Sequence, residues 1–161
     1  MRTKVSFVLF TLLSILLTGF IFSNSVKTAG ESHAQSGRVM DIVRPILVPE
    51  FINEETEEKT EQKLSYVVRK AAHFVEFGAL GVCVGGAFAS LAVLCKKQYR
   101  IAPAALCFAI ACCDETIQAF TGRTNSMKDV ALDSSGSICG LLFVSCVVWL
   151  INQRRGGQPD A

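Results

Sequence analysis

Four apolar runs, each near the length that crosses a bilayer, dominate the hydropathy pattern of this chain. Residues 5–22 carry no charge, and about 18 residues is close to the shortest helix that spans hydrocarbon. Residues 71–94 hold His73 and Glu76, both in the first half of the run. Residues 101–120 are clean except for Asp114 and Glu115 near the end, and residues 130–151 except for Asp133 near the start. The pattern predicts an all-α polytopic membrane protein with four transmembrane helices. Arg2 and Lys4 precede the first run as they would in a secretory signal. That run exceeds the usual 7–15 apolar residues of a signal core, and no small-x-small site follows it directly, so we read it as an uncleaved helix.

A polar stretch, residues 23–66, separates the first two runs. Within it Val39, Met40, Ile42, Val43, Ile46 and Leu47 recur at helical spacing. They predict a short interfacial helix, interrupted by Pro45 and Pro49. The acidic run from Glu54 to Lys59 reads as a solvated helical face leading into the second span.

Composition agrees with lipid as the solvent. Of 161 residues 50% are apolar and 19% charged, with a mean hydropathy of +0.39; soluble domains carry about 25% charge. That length holds one domain, residues 1–161. The net charge of +2 comes from scattered basic residues, so nucleic acid is not an expected partner. The seven cysteines lie in or beside apolar runs without any C-x-x-C spacing. They read as small buried hydrophobes, not as a disulfide framework.

Lysine and arginine in the short flanks set the expected orientation. Arg2 and Lys4, then Lys96, Lys97 and Arg100, then Arg154 and Arg155 fall on one side of a four-span protein. That side should be the cytoplasm, with both termini there, in a multi-pass protein of the plasma membrane. Residues 23–66 and the loop 121–128 are then extracytoplasmic, although Arg69, Lys70, Arg123 and Lys128 count the other way.

This topology collects the intramembrane ionisable groups in the outer half. The second span enters with Arg69, Lys70, His73 and Glu76, and the third leaves with Asp114, Glu115 and Gln118. Arg123 follows in the loop, then Asp129 and Asp133. Arg69, His73 and Glu76 share one helix face, and Asp114–Gln118 and Asp129–Asp133 are pairs four residues apart. At about 1.5 Å per residue Asp114 lies roughly 9 Å inward of Phe120. One charge facing lipid mid-membrane costs on the order of 2.5–3.5 kcal/mol. The set must therefore pair internally or line a wet cavity. It is either an ion-pair network pinning helices or a ligand site, and we favour the site. Gly81-x-x-x-Gly85 and Gly136-x-x-x-Gly140 further predict close packing of the second and fourth spans.

No P-loop, nucleophile elbow or H-E-x-x-H motif occurs. With only His33 and His73 available, a multi-histidine zinc or di-iron site is not expected. We expect no cofactor and no metal. The minor alternative is a magnesium or calcium site from Glu76, Asp114, Glu115 and Asp133.

The run Arg69-Lys70-Ala71-Ala72-His73-Phe74-Val75-Glu76-Phe77 is followed by Asp114-Glu115-Thr116-Ile117-Gln118-Ala119-Phe120 and Gly122-Arg123. Then come Asp129 and Asp133-Ser134-Ser135-Gly136. In this order, after a first helix ending Phe22-Ser23-Asn24-Ser25, the motifs resemble the VanZ-like family over nearly the whole chain. The departures are Phe77 where tyrosine is common, Thr121 where proline often precedes Gly-Arg, and Asp133 at a position shared by Asn and Asp. The resemblance implies the membrane fold already read from hydropathy. The family's namesake is associated with reduced susceptibility to teicoplanin, without change to the peptidoglycan precursor terminus. Most relatives lie outside resistance clusters, so the resemblance speaks to architecture more than to activity.

The leading functional expectation is a protein that binds or shields an anionic or amphipathic envelope ligand at the outer face. Arg69, Lys70 and Arg123 would hold an oxyanion, such as a lipid phosphate or a carboxylate. His73, Glu76, Asp114, Glu115, Gln118, Asp129 and Asp133 would orient those cations and complete the ligand-binding set. The alternative is a membrane-embedded enzyme acting on a lipid-linked substrate, with His73, Glu76 and Asp114 as catalytic candidates. A transporter is disfavoured because no inverted repeat is visible. The expected partners are the bilayer, the envelope ligand and, compatibly, a second copy of the chain.

Overall fold

The computed structural model describes residues 1–26, 54–121 and 127–156, and the side chains of the second helix from residue 63 and of the last through residue 154. Four helices make up these residues: α1 (Arg2–Ser25), α2 (Glu54–Cys95), α3 (Ala102–Phe120) and α4 (Met127–Gly156). All four are long and apolar enough to cross a membrane. The protein is an all-helical, multi-pass membrane protein. The expected interfacial helix near residues 39–47 and the loop residue Arg123 lie outside the described residues.

The helix ends follow local chemistry. Pro103 sits in the first turn of α3, where its missing N–H costs nothing. At the end of α2, Lys96 adopts a left-handed backbone with φ 52°. The Lys97 N–H then reaches back to Ala92 O at 3.2 Å, closing a Schellman-type cap. As predicted, the acidic run from Glu54 to Lys59 is helical and continuous with the second span. The 42 residues of α2 run about 63 Å, twice the ~30 Å hydrocarbon thickness, so the helix projects from the membrane or tilts strongly.

Burial is inverted relative to a soluble bundle. Leu12, Leu16, Phe108, Leu142 and Phe143 are exposed, whereas Ser25, Asp114, Glu115, Gln118, Asp133 and Ser137 are buried. In water such an arrangement would be untenable; in lipid it is expected. The hydroxyls of α1 obey the same logic. Thr11, Ser14 and Thr18 each donate to the carbonyl four residues back, at 2.8 Å, and so present no unpaired polar atom to lipid.

The centre of the bundle is α2, which packs on α4, α1 and α3. Phe77, Leu80 and Val84 repeat at helical spacing on its inner face and meet Ile21, Cys107, Ala111 and Val130. Against α4 the contact is backbone to backbone. A Cβ added at Gly140 would collide with Gly78 O and Val82 N, and one added at Gly81 with the Ser137 backbone. A Cβ at Gly136 would strike Phe74 O. The predicted pairing of spans two and four is thus present. Gly78, outside the G-x-x-x-G pattern, also sits in the crossing. Gly85 instead faces the side chains of Leu141 and Val144, at 3.2 Å.

Candidate functional site at the polar end of the bundle

Just beyond the glycine crossing all four helices contribute polar side chains to one region. The C-terminus of α1 meets the C-terminus of α3, the first membrane turns of α2 and the N-terminal turns of α4. Each helix continues its own repeat into this region. On α2, His73 precedes Phe77 and Leu80 on the inner face; on α4, Asp133 precedes Gly136, Ser137 and Gly140. The segments that pack apolar atoms further along therefore deliver charge here.

Asp114 is the centre of the network. It is fully buried, and both of its oxygens accept a hydrogen bond. Ser25 Oγ donates to Oδ1 at 2.5 Å across the α1–α3 contact. Gln118 Nε2 donates to Oδ2 at 2.7 Å from one turn along α3. The Ser25 hydroxyl has a single proton, and the Ile21 carbonyl at 3.1 Å is its more distant acceptor. Thr121 Oγ1 lies within reach of Gln118 O at 2.9 Å and Ser25 O at 3.3 Å, tying the two helix ends together. Asn24 Nδ2 donates to Glu76 Oε1 at 3.4 Å, linking α1 to α2.

A second charged contact closes the α2–α4 side. Lys70 Nζ pairs with Asp129 Oδ1 at 2.5 Å, and both side chains are partly exposed. The same ammonium lies 5.5 Å from the centroid of the Tyr66 ring, within cation–π range. Lys70 is therefore held at the rim, one helical turn outside His73.

Between these contacts His73, Asp114 and Asp133 converge from three helices, each with a ligand-type atom within 4.8 Å of the others. Asp133 is 2% exposed, and its Oδ2 has no hydrogen-bond partner among the described residues, nor does the buried Ser134 Oγ. Asp133 also lies in the field of the Asp114, Glu115 and Asp129 carboxylates, with Lys70 as the offsetting cation. Leaving a buried polar group unsatisfied costs about 1–3 kcal/mol, and more when it is charged. Such a cost marks a place where stability has not been maximised.

Of the residues singled out in the sequence, His73, Glu76, Asp114, Glu115, Gln118 and Asp133 are buried or half-buried at this end, and Lys70 and Asp129 pair at its edge. Arg69 is half-buried one turn before His73. Sequence reasoning did not assign Asn24 and Ser25 a role in the site. Their signal was present: polar residues closing an apolar helix, with no glycine or proline between Phe20 and Asn24.

Two cavities lie elsewhere. A cleft of about 930 Å³ between α2, α3 and α4 is lined by Phe88, Tyr99, Arg100, Leu141 and Trp149, at the opposite end. Another of about 430 Å³ lies between α1, α2 and α3, lined by Phe7, Ile15, Phe88 and Leu106. Their mostly apolar walls suit acyl chains, and neither includes a residue of the polar set.

The VanZ/LLP1 family model matches residues 10–150. The chain belongs to the VanZ/LLP1 family. The match runs from within α1 through all four spans, so the polar end lies wholly inside the family region. No curated protein and no solved structure matches the chain.

Proposed function

We propose that this VanZ/LLP1 protein sits in the cell envelope and binds or shields the charged head of an anionic or amphipathic envelope molecule at its polar end. The observation that carries the reading is the convergence of buried polar side chains from all four helices at one end of an otherwise apolar bundle. Intramembrane ionisable groups are expensive, and function is their default explanation. Arg69 and Lys70 at the rim, with Arg123 from the following loop, supply the cations for an oxyanion; the carboxylates beneath orient them. Family membership directs attention to glycopeptide susceptibility as the phenotype to examine.

In this reading the polar end faces outward, because the basic flanks at residues 2–4, 96–100 and 154–155 favour the cytoplasm. Single cysteines introduced at Ser32 and Gln98 in a cysteine-free background test the orientation. An impermeant thiol reagent should label the Ser32 site in intact cells and leave the Gln98 site untouched. The reverse pattern inverts the protein.

Binding is tested by extracting the protein in lipid nanodiscs cut directly from host membranes and identifying retained amphiphiles by mass spectrometry. One anionic class should be enriched over bulk membrane with the wild type, lost with Arg69→Ala, and partly kept with Arg69→Lys, which preserves charge but not the forked contact. A profile equal to bulk membrane for wild type and variant alike rejects binding. A second reading, acid–base catalysis on a lipid-linked substrate, draws support from the closeness of His73 to Asp114. Its signature is a chemically altered lipid whose formation needs His73.

A further inference from the structure

The polar end contains one feature that a rim of cations does not explain. His73, Asp114 and Asp133 approach each other from α2, α3 and α4, with one ligand-type atom apiece, all within 4.8 Å of one another. Two of the three are almost completely buried. Carboxylates gathered in this way repel, and the field at Asp133 is dominated by like charges from Asp114, Glu115 and Asp129, offset by Lys70. Lys70 is itself engaged by Asp129.

The geometry points to a divalent first-row metal ion, held by the His73 imidazole and the Asp114 and Asp133 carboxylates. Three observations favour a cation here over a purely structural cluster. Asp133 Oδ2 is buried and has no hydrogen-bond partner among the described residues, which is the state of an acceptor awaiting a Lewis acid. Asp114 is oriented from outside the cluster, by Ser25 on one oxygen and Gln118 on the other. Each of its oxygens has two lone pairs, so those bonds leave it able to coordinate, as the outer partners of metal-bound carboxylates do. The donor set is one nitrogen and two oxygens, which suits manganese, iron or zinc better than magnesium or calcium, whose sites are built from oxygen alone.

Distances are compatible with this assignment. Ligands about 2.1 Å from a tetrahedral ion stand roughly 3.4 Å apart, so side-chain rotations of about an ångström close the set. Three protein ligands would leave at least one coordination position for water or for an oxyanion. A metal would then also supply positive charge beneath the rim. The inference does not depend on the lipid-binding reading: the three residues hold the ion whether or not an amphiphile approaches it.

Manganese is the better probe, since the cysteines compete for zinc. Purified full-length protein in detergent is stripped with EDTA, dialysed and titrated with Mn²⁺, with free ion counted by its electron paramagnetic resonance signal. The expected result is one Mn²⁺ bound per chain, displaced by Zn²⁺ only once zinc exceeds what the free cysteines take up, and a higher melting temperature with the ion than without. Asp133→Asn and His73→Gln, each close to the original in size, should weaken binding at least tenfold and abolish the metal-dependent rise in melting. A variant that fails to fold leaves the other to decide. Absence of stoichiometric binding by the wild type, or binding undiminished in a folded variant, overturns the metal site and leaves the amphiphile experiment unaffected.

Discussion

Between Gly78 and Gly140, α2 and α4 touch backbone to backbone; one turn or two away, between His73 and Asp133, the same two helices are separated by charge. The first region is the packing solution expected in lipid, where the hydrophobic effect does not drive helices together and close approach of small residues must. The second contributes little of that kind. Its groups are desolvated and partly unsatisfied, and its carboxylates repel one another, so their presence is poorly explained by stability alone. The comparison separates what holds the bundle together from what the bundle holds.

The largest effect should come from the crossing. Gly140→Leu places a side chain where even a Cβ meets Gly78 O and Val82 N. Overpacking of a filled site costs about 1–3 kcal/mol, and a backbone wall makes the upper end the expectation. Most of the folded, monodisperse protein should disappear on size-exclusion chromatography in detergent. Gly19→Ala, where an added Cβ meets nothing within 4 Å, should behave as wild type. Equal behaviour of the two would mean that the crossing does not organise the fold.

Asp114→Ala comes next. It strands the Gln118 amide and leaves the Ser25 hydroxyl only its more distant Ile21 carbonyl, removing two bonds that reach Asp114 from two helices. Hydrogen bonds to charged groups are worth about 1.5–3 kcal/mol each, so melting should fall measurably. Simultaneous Ser25→Ala and Gln118→Leu should return part of the loss, because no donor is then left unmet. Failure of that rescue would remove Asp114 from the centre of the network.

The smallest effect belongs to the rim. The Lys70–Asp129 pair is partly exposed, and such pairs contribute about 0–1 kcal/mol. A double-mutant cycle with Lys70→Ala and Asp129→Ala should show a coupling inside that range. A larger value would place the pair in a drier setting than its exposure indicates.

The polar end was legible in the sequence because charge in an apolar run has few explanations, and helical spacing alone aligned Asp114 with Gln118. The spans were legible for the same reason, apart from their ends. Asn24 and Ser25 were not assigned to the site because such residues usually leave a helix rather than extend it; contact with Glu76 and Asp114 across the bundle gives them their place. Gly78 was missed because G-x-x-x-G records one spacing only, while the crossing uses a face on which residues three apart, Gly78 and Gly81, also meet α4. The Lys70–Asp129 contact depends on the relative rotation of two helices, which no single-helix periodicity contains.

The central claim is that the polar end is kept for use and not for stability, and Asp133 tests it most directly. Leucine matches the branched shape of the aspartate side chain while removing a buried oxygen that has no partner among the described residues. The decisive measurement is the melting temperature of Asp133→Leu against wild type, both stripped of metal with EDTA. Replacing buried, poorly paired charge by a well-packed apolar group is often neutral or stabilising by about 1–4 kcal/mol. The expected melting temperature of Asp133→Leu equals or exceeds that of the wild type. A fall of several degrees would show that the Asp133 carboxylate holds the helices together, and would contradict the claim.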